Sequence, residues 1–246
     1  VINMPIVIAI ALAAAIVPTL SYSYAKKDAY GIKERSSACV KIALIIGVPC
    51  FFGLFALAPH ILRALYPSLS ASQAELAVTL MRISAINVIL ASGVQIYTAI
   101  LQSLNMAGFC LRAGALLSAI RIAGEVALSY VLGIKGVCLA WSIYNLMFLL
   151  VLIYKHAFLL GRNVALIKNV SKILLGGVIM YAPVTIASIF ISNAYIAIAV
   201  GTVAGALLYL PLVILLGIMS KEELMSLPFG NKIYAAARFI NRRNYG

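Results

Sequence analysis

The sequence predicts an all-α fold, a polytopic membrane helix bundle of about seven transmembrane helices. Three observations predict it. Hydrophobic residues make up 64% of the 246 and charged residues only 10%, against about a quarter charged in soluble domains, and mean hydropathy is +1.09. The apolar residues run in stretches long enough to cross about 30 Å of hydrocarbon. The basic residues fall between those stretches, and unevenly, as in chains that obey the positive-inside rule.

In chain order the spans read as Val1–Tyr22, Val40–Leu62, Leu76–Leu101, Ala113–Leu132, Val137–Tyr154, Val170–Ile191 and Tyr195–Gly217. Pro18, Pro49, Pro183 and Pro211 sit inside them, which a membrane bundle tolerates because neighbouring helices satisfy the freed carbonyls. The fourth and fifth spans are parted only by "GIKG". The chain opens on Val1, already in an apolar run and without the basic start of a signal peptide. It therefore reads as the C-terminal part of a longer protein.

Lys26, Lys27, Lys33, Arg35 and Lys41 follow the first span, Arg112 the third, Lys155, Arg162, Lys168 and Lys172 the fifth, and Lys221, Lys232, Arg238, Arg242 and Arg243 the seventh. These fifteen share one side of the membrane. The other side has Arg63, Arg82 and Lys135. The expectation is a multi-pass cell-membrane protein with its first residue outside and its C-terminus cytoplasmic. Tyr22, Tyr24, Tyr66, Tyr154 and Tyr195 mark span ends as an aromatic belt would. Three regions follow: a bundle of about five helices over 1–160, two peripheral helices over 161–219, and a basic tail over 220–246. In the tail Ile233, Ala237 and Ile240 recur at helical spacing beside Lys232, Arg238, Arg242 and Arg243, the pattern of an amphipathic helix on the inner leaflet. A solvated basic tail is the alternative.

The formal charge of +13 is topological, so no nucleic-acid partner is implied. Cys39, Cys50, Cys110 and Cys138 lie scattered without CxxC spacing, and His60 and His156 are isolated near span ends. This predicts small apolar fillers and interfacial histidines, with neither metal nor cofactor. Six acids and two isolated histidines form no catalytic constellation, which excludes an enzyme.

Two helices carry polar stripes. In the third span Ser84, Asn87, Gln95, Thr98 and Gln102 recur at near-helical spacing, and in the fourth Ser118, Arg121, Glu125 and Ser129 do. Such stripes either hydrogen-bond across a dry helix interface or face a water-filled path. Arg121 and Glu125 favour the path, because ionisable groups in a span are costly. At i, i+4 they can pair on one helix face, holding a cation ready beside a cavity, although a purely structural pair is the competing reading.

The segments "MPIVIAIALAAAIVPTLSYSYAKKD" and "KIALIIGVPCFFGLFALAPHILRALYP" resemble the eighth and ninth helices of polysaccharide-type flippases of the multidrug/oligosaccharidyl-lipid/polysaccharide superfamily. Val17, Pro18, Ser21, Ala25, Asp28, Pro49, Leu65 and Tyr66 occupy that family's places, and "GIMSKEELMSLPFGNKI" resembles the tail of the stage V sporulation protein B subgroup. The resemblance implies the C-terminal half of a fourteen-helix flippase, in which the last two helices help form a groove for a lipid tail. It implies a membrane flippase moving an undecaprenyl-diphosphate-linked saccharide, lipid II or a polysaccharide unit, between leaflets by alternating access. The partners it implies are that lipid-linked oligosaccharide, membrane lipids and the protein's own N-terminal half. Lys41 matches a basic position of lipid II flippases and is a candidate for the cytoplasmic rim, or equally a positive-inside anchor. The substrate-path candidates are thus Arg121, Glu125, Lys41, Asn87, Gln95 and Gln102. Two alternatives stand beside the flippase: a cation-coupled multidrug antiporter of the same superfamily, disfavoured because Glu125 has an arginine one turn away, and a non-transporting scaffold for cell-wall or spore assembly.

Overall fold

A computed structural model describes residues 2–161 and 164–218. The basic tail over 220–246, its proposed amphipathic helix and most of the subgroup-like ending lie outside the described residues. Among the described residues, eight α-helices make seven membrane-length spans: α1 (Asn3–Ala25), α2 (Ala29–Leu65), α3 (Ala71–Ala85) and α4 (Asn87–Ser103) forming one span, α5 (Ala107–Leu132), α6 (Ile134–Leu160), α7 (Val164–Phe190) and α8 (Ala194–Leu215).

Each of the four in-span prolines stays inside a continuous helix, and Pro59 joins them in α2. The sequence reading needs correction at α2. The helix begins at Ala29, eleven residues before the expected Val40, because Asp28 caps it by accepting from the Gly31 amide at 2.9 Å. "YGIKERSSACV" is therefore helical although polar. Likewise α3 begins five residues early, where Ser70 and Gln73 form a reciprocal capping box. The third span is also interrupted at Ile86, between α3 and α4. The "GIKG" link proves to be a one-residue turn: Gly133, at φ +59, takes a conformation open to glycine and folds α6 back along α5.

Two apolar clusters hold the bundle. The first joins α1, the N-terminal half of α2, α4, α5 and α6 around fully buried Leu20, Ile100, Leu101 and Leu152. The second joins Val48, Ala56 and Leu57 of α2 to Ile173, Met180 and Val184 of α7 and Tyr209 and Val213 of α8. The long α2 serves both. Gly177 makes the second possible, since a Cβ there would collide with Val48 and Phe52. Lys172 then donates to the Leu216 carbonyl at 2.7 Å, closing the C-terminus of α8 as a basic residue can.

Both histidines are buried, against the expectation that they sit at the interface. His60 Nε2 lies 3.2 Å from the Ile191 carbonyl, and His156 meets the Tyr97 ring edge-on at 5.4 Å. Each is packed between helices, with His60 Nδ1 and His156 Nε2 buried and making no hydrogen bond. The four cysteines are free, and among the described residues no cluster could hold a metal ion.

Candidate functional site

The least enclosed helix is α5, where only Cys110 and Leu117 are buried. It packs chiefly on α6 through a face that steps by three and four residues, 114–118–121–125, as helical geometry requires. A Cβ at Gly114 would touch Phe148, Ser118 Oγ lies 3.5 Å from the Tyr144 hydroxyl, and the Arg121 guanidinium sits 5.3 Å from the Tyr144 ring centre. Phe148 backs Tyr144 at 5.8 Å.

Arg121 Nε and Glu125 Oε1 are 3.7 Å apart, with side chains 32% and 27% exposed. Arg121 Nε is buried and makes no hydrogen bond, so the carboxylate attracts the cation without fixing it. The ring below supports the cation through its quadrupole. The result is a half-exposed guanidinium in a span, held between a carboxylate and an aromatic face and still able to donate to an anion.

The third-span stripe divides. Asn87 is completely buried; its Nδ2 donates to Ser142 Oγ at 2.9 Å and its Oδ1 accepts from Asn145 Nδ2 at 3.1 Å. It ties α4 to α6 and is withdrawn from any open surface. Gln95 and Gln102 are exposed on α4. The division follows from the helix period, because eight residues from Asn87 to Gln95 advance about 80° around the axis. The polar residues do not make one straight stripe. Lys41, on α2, is half-buried and engaged by a partner. Arg121 and Glu125 are thus brought together, and Asn87 belongs to a separate network on another side of α6.

Sequence reasoning missed the α6 residues that complete both arrangements: Ser142 and Asn145 toward α4, Tyr144 toward α5. The signal was present in "WSIYNLMF", where an amide stands three residues from a serine in an apolar span, the pattern that singled out Asn87.

Beside the second cluster runs an apolar groove of about 510 Å³ between α1, α2, α7 and α8. Pro49, Gly53, Thr202, Ala206 and Leu210 are among its walls. Gly201 brings α8 within reach of Leu57, which a Cβ there would meet at 3.0 Å.

Seven apolar spans, a half-exposed guanidinium on the most open helix and an apolar groove beside α7 and α8 define a polytopic helical membrane protein. Residues 1–201 match the family model described as lipid II flippase MurJ, and the chain belongs to that family. Among solved structures it is similar to "Lipid II flippase MurJ, inward closed conformation", with TM-score 0.72 and 18% identity over 85% of this chain. That likeness shows a shared fold. The chain spans 43% of the length of that structure. No curated protein matches the chain.

Proposed function

We propose that this chain forms the C-terminal part of a membrane flippase that carries an undecaprenyl-diphosphate-linked saccharide, of the lipid II type, from the inner to the outer leaflet. The single observation that carries the reading is a half-exposed arginine set inside a span of a lipid II flippase family member. A diphosphate needs a cation within the membrane, and Arg121 offers one that Glu125 offsets without fixing. Gln95 and Gln102, exposed on α4, supply hydrogen bonds for the same polar path. The groove between α2, α7 and α8 suits a polyprenyl tail, being apolar along its length. In this reading 1–160 is the moving bundle, 161–219 the lipid-tail pair and 220–246 a cytoplasmic tail. The cavity's other wall is the N-terminal half of the same protein.

The skew of basic residues supports an orientation with the first residue outside and the C-terminus cytoplasmic. Alternating access of two bundles about a site near mid-membrane would do the transport. The exporter and scaffold alternatives find no support in the family. The test is reconstitution of the full-length parent in vesicles with a diphosphate-linked polyprenyl sugar, with Arg121→Ala alongside. Translocation by the parent and its loss in the variant are expected. A parent that moves no such lipid would overturn the proposal, and an active Arg121→Ala would remove Arg121 from the path.

A further inference from the structure

A second cavity, of about 800 Å³, opens at the end of the bundle where α2 ends and α3 begins. Its walls include Arg63, Arg82, Tyr66, Glu75, Leu62 and Val78. That membrane end is poor in basic charge: besides these two arginines, the sequence puts only Lys135 there among its lysines and arginines. Two of the three basic groups thus converge on one cavity, from helices separated by a turn.

The two arginines differ in their partners. Arg63 lies in the last turn of α2 and is exposed, and among the described residues it makes no hydrogen bond or ion pair. Arg82 lies eleven residues into α3, about 16 Å along the helix at 1.5 Å per residue, and is exposed as well. A charge within a span is expensive unless it has a purpose and a partner. Part of the cost is met by Phe55, whose carbonyl accepts from Arg82 Nε at 3.3 Å and whose ring lies 5.5 Å from the guanidinium. The carboxylate of Glu75 shares the cavity and leaves it one formal positive charge in excess.

We propose that this cavity is a binding site for the headgroup phosphate of a monoanionic glycerophospholipid, held between Arg63 and Arg82. Guanidinium forks match phosphate oxygens, and the single net charge suits a phosphodiester better than a dianion. Tyr66 sits where a span end meets the headgroups, and Leu62 and Val78 offer an apolar wall for the start of an acyl chain. A volume of this size is typical of a ligand pocket. The site is separate from the Arg121 path and does not depend on transport.

Purified full-length protein in neutral detergent would be titrated with phosphatidylglycerol and with phosphatidylcholine, and bound lipid counted by native mass spectrometry. One phosphatidylglycerol should bind roughly tenfold more tightly than phosphatidylcholine, about 1.4 kcal/mol. Arg63→Gln and the Arg63→Gln/Arg82→Gln pair should abolish that preference, while Lys135→Gln, at the same membrane end but outside the cavity, should keep it. Arg63→Gln is the cleaner variant because among the described residues Arg63 makes no hydrogen bond or ion pair. A preference surviving in the double variant, or lost equally in Lys135→Gln, would overturn the site. Displacement of the lipid by millimolar inorganic phosphate would overturn the lipid as its occupant.

Discussion

Asn145 donates from Nδ2 to the Oδ1 of a completely buried Asn87, 3.1 Å away, across the α4–α6 interface. The bond is one of four in a small polar network. Asn145 also donates to the Trp141 carbonyl at 3.0 Å, and Ser142, which accepts from Asn87, donates to the Cys138 carbonyl at 3.0 Å. The α6 residues therefore each keep a bond within their own helix, whereas the two Asn87 bonds the structure shows both reach α6.

This asymmetry orders the cost of truncation. Asn87→Ala leaves Asn145 and Ser142 with their own-helix partners, and should cost on the order of 1 kcal/mol, as side-chain hydrogen bonds between membrane helices do. Asn145→Ala orphans the buried Asn87 oxygen and should cost more, about 1–3 kcal/mol. Thermal unfolding of the full-length protein in detergent checks the order; a larger loss for Asn87→Ala would show that the amide serves something besides α6.

The Tyr144 ring predicts a contrast at one position. If the ring, and not the hydroxyl, supports Arg121, then Tyr144→Phe should transport like the parent, since the Ser118 contact it removes is long at 3.5 Å. Tyr144→Leu removes a cation–π contact worth about 0.5–2 kcal/mol and should slow lipid translocation by roughly threefold to thirtyfold. Equal activity of the two variants would detach Tyr144 from the cation.

Glu125 restrains Arg121 at 3.7 Å while both are about a third exposed, so the pair is worth up to about 1 kcal/mol. Glu125→Gln frees the guanidinium. Binding of a diphosphate-linked polyprenyl lipid to the full-length protein should tighten by up to about fivefold, read by a binding isotherm in detergent. Weaker binding would make Glu125 itself a contact for the sugar or for a cation.

Much of the fold was legible because hydropathy and length alone decide whether a helix crosses a bilayer, and all seven spans stand where apolar runs stand. What escaped notice was set by short polar signals. Asp28 and Ser70 start α2 and α3 outside the apolar windows, where hydropathy falls but capping holds the helix. The candidate site was half legible. Arg121 and Glu125 stand out by charge at helical spacing, but which residues meet across helices depends on the rotation of each helix. Asn87 and Gln95 read alike in sequence, and one lies sealed against α6 while the other is exposed.

The groove beside α8 gives the last prediction. Ala206 is exposed and lines it, so Ala206→Trp would fill part of its 510 Å³ from a position that carries no buried contact. The helix should remain intact, because the new side chain points into open space rather than toward the packed Gly201 and Gly205 face. Translocation of a long polyprenyl substrate by the full-length parent should fall roughly tenfold or more, while the thermal midpoint stays unchanged. A short-chain analogue that leaves the groove empty should be unaffected. Equal loss for long and short chains would mean that the tail lies elsewhere and that the tryptophan acts on the movement of α7 and α8.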